Sequence, residues 1–307
     1  MYKVSIEVRT IEKYLAFDIG GTDIKYAVLD KEGNFLQKGS YPSNRFDGSA
    51  ILQSIIGRAL QTEGLTGIAL SVPGFVDHKT GYIEVGGAIS DFNRFNIKEY
   101  LEEQLNISVS AENDVNCVAL GEKWRGNAQN EADFLCMTIG TGIGGAIFID
   151  NKLYRGSTNM AGEFGYMITQ GLQNNLAEKC TLSYTGSIYG LRERFAKYKG
   201  VKVETVTGFD VFDACEQGEP RARHEVTSFY NSLAIAVYNL LFMFNPKKLF
   251  IGGAVSERKE LISELTWRIQ SMGSYGKESA LECCGLKNDA GLLGALYHHL
   301  QACTSKI

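Results

Sequence analysis

Asn113 and Asp114 stand where the sequence changes from one regular element to the next. Residues 108–111 have the short apolar pattern of a β-strand, and Val115, Val118 and Leu120 follow at helical spacing. A carboxylate at this position can accept a proton from a hydroxyl group, but Asp and Asn are also the favoured N-cap residues of helices. The spacing alone therefore leaves a general base and an N-cap as open interpretations.

A glycine-rich turn, Gly20-Gly21-Thr22, lies between two predicted strands. Glycines permit a tight turn and let backbone N–H groups approach an anion closely. Asp18 ends the preceding strand, where it is placed to hold Mg²⁺ through water, and Thr22 offers a hydroxyl to the same phosphates. Lys25 completes the expected phosphate-binding set. Taken alone, an isolated Gly-Gly-Thr is more typical of a plain hairpin turn.

A second turn, GTGIGG, repeats the first one and favours phosphate binding over a plain hairpin; it contains Gly140, Thr141, Gly142 and Gly144. The same letters satisfy the GxGxxG pattern of dinucleotide-binding proteins. That pattern must open a helix, whereas residues 146–149 form an apolar strand that leads into a hairpin turn. The dinucleotide interpretation is therefore rejected.

A third turn, Gly252-Gly253-Ala254, follows a predicted strand and precedes a helix predicted to begin near Ser256. Such a turn lets the backbone lie against an adenosine. An ordinary strand-to-helix turn is the alternative.

The two glycine-rich turns belong to an internal repeat, in which residues 17–39 and 137–156 both read strand, turn, strand, polar turn, strand. Alternating helix and strand signals follow each copy. We expect two similar α/β domains, each opening with a β-meander, and an interdomain cleft that holds the active site. The expected N-terminal domain is 1–116, the C-terminal domain is 117–290, and a final helix, 291–307, packs back on the first domain.

Composition narrows the class of protein. Of the 307 residues, 44% are hydrophobic, and the net charge of −4 argues against a broad basic surface for nucleic acid. The longest apolar run, 233–244, is shorter than the roughly 18 residues that span a bilayer, and the N-terminus lacks a signal-peptide pattern. We therefore expect a cytoplasmic protein with no membrane partner.

Five motifs in fixed order, DIGGTDIK, AENDVNCVALGE, TIGTGIGGAI, MAGEFGYM and LFIGGAVSE, make the chain resemble the ROK family of bacterial sugar kinases and related repressors. The resemblance runs from Tyr14 onward. It implies a two-domain actin/hexokinase-like (ribonuclease H-like) fold, ATP with Mg²⁺, a small-molecule sugar and a homodimer. By position, it implies that Asp114 is the catalytic base, that Asn113 and Glu163 bind sugar hydroxyls together with Gly87 of the sugar loop, and that the first two glycine-rich turns hold the phosphates of ATP.

The chain departs from the family at the zinc site, which most members build from one histidine and three cysteines. Tyr166 replaces the histidine and only Cys180 remains of the cysteines, so we predict no structural zinc. Leu182 replaces a glutamate that ordinarily touches the sugar, and the loop 85–89 lacks the usual asparagine. Tyr166 can stack on a pyranose ring, with a packed tyrosine as the alternative.

These departures resemble the zinc-less β-glucoside kinase branch of the family. That resemblance implies transfer of phosphate from ATP to the 6-hydroxyl of the non-reducing glucose of β-glucosides such as cellobiose. A glucokinase or N-acetylmannosamine kinase is the alternative within the family. A non-catalytic sugar sensor or a sugar-independent ATPase is the alternative from another class, and residues 1–13 are too short for the helix-turn-helix module of a repressor.

Overall fold

The computed structural model describes residues 12–44, 46–172 and 176–304, so most of the N-terminal segment 1–13 lies outside the described residues. The chain divides into two compact units. Unit 1 takes the chain up to Trp124 together with the segment from Asp289 onward, and unit 2 is Arg125–Asn288. The first division falls after Trp124 rather than after residue 116, near the end of a helix that belongs to unit 1.

Thirteen strands and nine α-helices lie within the described residues. The strands are β1 (Lys13–Ile19), β2 (Asp23–Leu29), β3 (Phe35–Pro42), β4 (Leu65–Val72), β5 (Phe75–Val76), β6 (Tyr82–Val85), β7 (Phe95–Asn96), β8 (Ser108–Asn113), β9 (Phe134–Ile139), β10 (Ile143–Ile149), β11 (Lys152–Tyr154), β12 (Lys248–Gly252) and β13 (Leu281–Cys283). The helices are α1 (Gly48–Gln61), α2 (Ile97–Leu105), α3 (Asp114–Arg125), α4 (Leu182–Thr185), α5 (Ile188–Lys199), α6 (Gly208–Glu216), α7 (Pro220–Phe244), α8 (Leu261–Ser271) and α9 (Ala290–Thr304).

Unit 1 is built on a five-stranded sheet with the order β3-β2-β1-β4-β8. The strands β1 to β3 form an antiparallel meander, and β4 and β8 continue the sheet in parallel with β1. Helix α1 packs an apolar face on this core because Ile51, Ile55 and Ala59 recur four residues apart. The parallel arrangement places the carboxyl ends of β1, β4 and β8 side by side.

Unit 2 repeats this architecture with a sheet of order β11-β10-β9-β12-β13. The predicted pair of α/β units opening with β-meanders is therefore confirmed. Helix α7 is long and apolar enough, by length and composition, to cross a membrane. Most of its apolar residues, however, belong to the buried core of unit 2, while Phe242 and Met243 near its end are exposed.

One predicted helix begins later than expected. A single 3₁₀ turn, Ala254–Glu257, follows Gly253, and α8 begins only at Leu261. The turn is closed by the Ser256 N–H, which donates to the carbonyl of Gly253, and Arg258 then adopts an extended backbone that ends it. The prediction of a helix starting near Ser256 was therefore wrong.

Helix α9 packs against α3 within unit 1 through glycines. A Cβ atom added at Gly294 would overlap the carbonyl oxygen of Cys117, and one at Gly121 would overlap that of Ala290. Helix α9 also lies against β1, β4 and β8. The close approach of the two helices therefore depends on residues without side chains.

Gly294→Ala tests this packing. We expect it to lower the free energy of unfolding by about 1–3 kcal/mol, because the added methyl group forces the helices apart. Gly57→Ala on α1 is the matched control, since its added Cβ meets nothing within 4 Å. The control is expected to gain up to about 1 kcal/mol from helix propensity. Equal urea midpoints for the two variants would contradict this packing.

Candidate active site

Asn113 and Asp114 lie at the junction of β8 and α3, and the hydrogen bonds of Asn113 bear out the capping interpretation of this junction. The Oδ1 atom of Asn113 accepts the N–H groups of Val115 and Asn116 at 2.9 and 3.0 Å, which makes Asn113 the N-cap of α3. Asp114 is half-buried in the first turn, where its Oδ1 accepts the Val115 N–H at 2.9 Å. The cap is thus Asn113, and the carboxylate beside it is oriented by the helix terminus.

The side-chain amide of Asn113 also fixes its neighbours. Its Nδ2 donates to Asp114 Oδ1 at 3.0 Å and to the carbonyl of Gly74 at 2.9 Å. An amide nitrogen carries two protons, so both are engaged. The Asn113 amide therefore links Asp114 to Gly74, and a sugar hydroxyl could accept a proton from it only by replacing one of these bonds.

The buried carboxylate of Glu112 stabilises the same junction through hydrogen bonds. Glu112 is completely buried, and its Oε1 accepts the backbone N–H of Asn113 at 2.9 Å and the side-chain amide of Asn116 at 3.0 Å. These bonds hold the end of β8 and the first turn of α3 together. The sequence analysis did not identify Glu112, because its role depends on the tertiary path of the chain.

Gly74 joins this junction to the loop that contains Gly87. Its φ of 96° lies in the region that favours glycine, and an added Cβ would overlap the carbonyl oxygen of Val85. Gly87 itself has a φ of 56° and is exposed. The loop 85–89 is therefore held against the same short segment whose carbonyl receives the Asn113 amide.

Asp18 lies at the end of β1, two strands away from Asn113 in the sheet. The register pairs Asp18 with Ser71 and pairs Ser71 with Glu112, so these residues share one edge of unit 1. Ser71 Oγ donates to Asp18 Oδ1 at 2.7 Å, and Lys25 Nζ lies 3.8 Å from Oδ2. Burial raises the pKa of Asp18, opposed by the Ser71 hydrogen bond and the Lys25 charge.

The carboxylates of Asp18 and Asp114 lie near the same buried thiol. Burial raises the pKa of Cys117 well above its ordinary value, and the negative charges of Glu112, Asp18 and Asp114 add to the shift. The thiol therefore stays protonated and contributes no charge of its own. The structure thus brings Asp18, Asn113 and Asp114 together at one edge of unit 1.

The first glycine-rich turn lies at this edge. Gly20 donates its N–H to the carbonyl of Asp23 at 3.0 Å, whereas the N–H groups of Gly21 and Thr22 make no hydrogen bond within the described part of the chain. Thr22 is exposed, and a Cβ at Gly21 would lie 3.0 Å from that of Ala88 in the loop 85–89. Two accessible N–H donors beside a buried carboxylate and Lys25 fit a phosphate group with its cation.

The second glycine-rich turn has the corresponding place between β9 and β10 in unit 2. Gly140 donates its N–H to the carbonyl of Gly142 at 3.0 Å, two residues on, whereas Gly20 in the first turn donates to Asp23, three residues on. Thr141 and Gly142 are exposed, and their N–H groups make no hydrogen bond among the residues described. Gly144 follows in β10. In both turns the first glycine therefore forms an internal bond, and the next two residues keep N–H groups that make no hydrogen bond among the described residues.

Glu163 is held next to β10, the strand that follows this turn, by close glycine contacts. A Cβ at Gly145 would overlap Phe164, and one at Gly162 would lie 2.6 Å from the carbonyl oxygen of Gly145. Glu163 is half-buried, and burial raises its pKa from 4.5 to about 6. The glycines of the AGEFG motif are the sequence signal for this contact, but the motif alone does not reveal its partner strand.

Tyr166 ends the 3₁₀ turn that follows Glu163, and its side chain is exposed, so it is not a packed core tyrosine. The segment after it is fixed by backbone and side-chain hydrogen bonds. Ile168 pairs with Thr181, Leu182 N–H donates to the carbonyl of Met167 at 2.6 Å, and Cys180 Sγ donates to the carbonyl of Leu172.

Across residues 12–44, 46–172 and 176–304, no group of three or more His, Cys, Asp or Glu side chains could hold a metal ion. The absence of zinc nevertheless stays a prediction, which elemental analysis of the purified protein would test.

The third turn, Gly252-Gly253-Ala254, ends β12 beside β9. Gly253 has a φ of 84°, and its added Cβ would overlap the carbonyl oxygen of Ile139, one residue before the second glycine-rich turn. Gly253 and Ala254 are exposed. Unit 2 therefore brings two exposed glycine turns and Glu163 together at the same end of its sheet.

The sequence of the chain is similar to that of known proteins along nearly its whole length. The profile of the ROK family matches residues 14–302. The chain is 41% identical over 289 residues to a protein from Listeria monocytogenes named beta-glucoside kinase, covering 94% of this chain and 98% of that protein. A Klebsiella pneumoniae protein of the same name is 40% identical, with 94% and 96% covered.

Solved structures of ROK family proteins are also similar to this chain. The Lmo2764 protein from Listeria monocytogenes, described as a proposed N-acetylmannosamine kinase, has a TM-score of 0.89 and 41% identity, covering 94% of this chain and 99% of that one. A ROK family glucokinase from Streptomyces griseus, solved with glucose and AMPPNP, has a TM-score of 0.76 and 25% identity, with 92% and 98% covered. On these matches the chain belongs to the ROK family and has its actin/hexokinase-like fold.

Proposed function

We propose that this sugar kinase transfers the γ-phosphoryl group of ATP to the 6-hydroxyl of the non-reducing glucose of β-glucosides such as cellobiose. The observation that carries the proposal is the orientation of Asp114 by Asn113 and the first turn of α3, at the same sheet edge as Asp18. Two relatives named beta-glucoside kinase support the substrate. The proposal places the protein in the cytoplasm, as a homodimer.

Asp114 acts as the general base. A sugar hydroxyl is a weak nucleophile, and a carboxylate within hydrogen-bond reach orients it and accepts its proton during phosphoryl transfer. The N–H of Val115 and the amide of Asn113 both donate to Oδ1, which fixes the carboxylate.

The glycine turns bind the phosphates of ATP through the N–H groups of Gly21, Thr22, Thr141 and Gly142. Lys25 adds a positive charge beside them. Asp18, held by Ser71, is placed to hold Mg²⁺, which when bound neutralises charge on the transferring phosphate. The Gly252-Gly253-Ala254 turn lies against the nucleoside.

Glu163 binds sugar hydroxyls in its ionised form, and this makes sugar binding dependent on pH. Burial raises the pKa of Glu163 to about 6, so the neutral form dominates below that pH. We expect KM for cellobiose to rise by roughly tenfold for each pH unit below the pKa, with KM for ATP little changed. Initial rates between pH 5 and 7.5 would measure both.

Glu163→Gln is the control for this prediction. It should give a raised KM for cellobiose that no longer varies with pH. Because the folded pKa lies above 4.5, ionising Glu163 costs stability as pH rises from about 4.5 to 6, so the variant should lose this part of the pH dependence of unfolding. A wild-type KM for cellobiose that stays constant down to pH 5 would contradict the role of Glu163.

A panel of sugars tests the substrate. ATP-dependent phosphorylation of cellobiose, glucose and N-acetylmannosamine would be measured side by side. Cellobiose turnover above the other two is the expected result. Turnover of N-acetylmannosamine alone would instead agree with the description of the Listeria Lmo2764 protein. Turnover of glucose alone would agree with the name of the Streptomyces griseus glucokinase. No sugar-dependent turnover would favour a sensor.

A further inference from the structure

An exposed apolar surface flanks Glu163 in unit 2. It consists of Met160, Tyr166 and Ile168, which are called the apolar shelf below; their side chains are 43%, 62% and 47% exposed. Exposed large apolar side chains near a polar group often mark a binding site. The shelf is therefore a candidate for contact with part of a ligand.

Backbone hydrogen bonds place the shelf next to Glu163. The N–H of Glu163 donates to the carbonyl of Met160 at 3.4 Å, and the N–H of Tyr166 donates to the carbonyl of Glu163 at 3.2 Å. Met160 and Tyr166 thus lie one tight turn before and one after the carboxylate. Ile168 is held in place by its bridge to Thr181.

The charge of this segment restricts what it can bind. Residues 156–172 contain no Lys, Arg or Asp, and Glu163 is their one acidic residue. A phosphorylated or acidic group would find no cation in this segment and would be repelled by Glu163. A neutral sugar ring or an aryl group meets no such penalty, and an aromatic side chain offers either one a flat apolar face.

We propose that the apolar shelf is the subsite for the aglycone of the β-glucoside, meaning the neutral sugar or aryl group attached to C1 of the glucose. The inference rests on the proposed function, in which Glu163 binds hydroxyls of that glucose. The proposal orients C1 of that glucose toward Met160 and Tyr166, which flank Glu163, so that the group joined to C1 covers the shelf. Free glucose leaves the shelf uncovered.

The test compares p-nitrophenyl β-glucoside with methyl β-glucoside, whose aglycone is too small to cover the shelf. In Tyr166→Ala, kcat/KM for the aryl glucoside should fall by about 3- to 10-fold, since aromatic contacts of this kind have that strength. The fall in kcat/KM for methyl β-glucoside should be smaller, because its aglycone does not cover the shelf. Tyr166→Phe keeps the ring and should retain the aryl preference.

Tyr198→Ala is the matched control, because Tyr198 on α5 is 58% exposed and lies outside the shelf. This variant should leave kcat/KM unchanged for both glucosides. If Tyr166→Ala lowered kcat/KM equally for the two glucosides, or for neither, the subsite would be overturned and the proposed kinase activity would still stand. Wild-type protein without any sugar-dependent turnover would instead overturn the proposed function, and the subsite with it.

Discussion

Asp114→Asn is expected to lower kcat for cellobiose by about 10²- to 10⁴-fold, the usual contribution of a general base. An amide at this position can still accept the Val115 N–H, so the first turn of α3 should persist. It cannot accept the proton of the sugar hydroxyl. KM for ATP should stay near the wild-type value, since the glycine turns are unchanged. Initial-rate measurement of ADP release gives both constants.

Asp213→Asn provides the control, because Asp213 is an exposed carboxylate on α6 with no part in the proposed site. It should leave kcat unchanged. An Asp114→Asn protein that kept more than about a tenth of the wild-type kcat would contradict general-base catalysis by Asp114.

Gly74→Ala is expected to have the second-largest effect on turnover. The φ of 96° costs a residue with a side chain about 1–3 kcal/mol, and the new Cβ would also overlap the carbonyl oxygen of Val85. The loop 85–89 must then shift, and the carbonyl that receives the Asn113 amide shifts with it. A displacement of about 1 Å in positioning groups can cost 10²-fold in rate, so kcat/KM for cellobiose should fall by about that factor.

Gly64→Ala separates backbone strain from displacement of the site. Gly64 also has a positive φ, 71°, but its added Cβ meets nothing within 4 Å. We expect it to lower stability by about 1 kcal/mol and to leave kcat/KM unchanged. The same kcat/KM in both variants would contradict a role for Gly74 in aligning Asn113 with the loop. Thermal unfolding of both proteins would show how much of any loss is due to stability.

The fold could be predicted because the internal repeat is a local signal. Each meander is encoded by alternating apolar residues around a glycine-rich turn, and the two sheets have the same strand order. The start of α8 was mispredicted because the local bonds of Ser256 and Gly253 close a 3₁₀ turn instead of opening a longer helix.

The site could be predicted only in part. Asp18 and Asn113 lie at the ends of strands and Asp114 follows one, so their places at the carboxyl edge of a parallel sheet follow from the sequence pattern. The sequence pattern does not identify Ser71, Glu112 or Gly74, because their hydrogen-bond partners are set by strand register and by the path of a loop. The glycines of AGEFG were visible, but only the structure shows that they pack against β10.

Analysis of the product by nuclear magnetic resonance would test the central claim most directly. Cellobiose and ATP would be incubated with the purified wild-type protein, and the phosphorus would be correlated with the sugar protons to which it couples. The account predicts one product, with the phosphate on C6 of the non-reducing glucose. Phosphate on another carbon, or ADP formed equally without cellobiose, would contradict it.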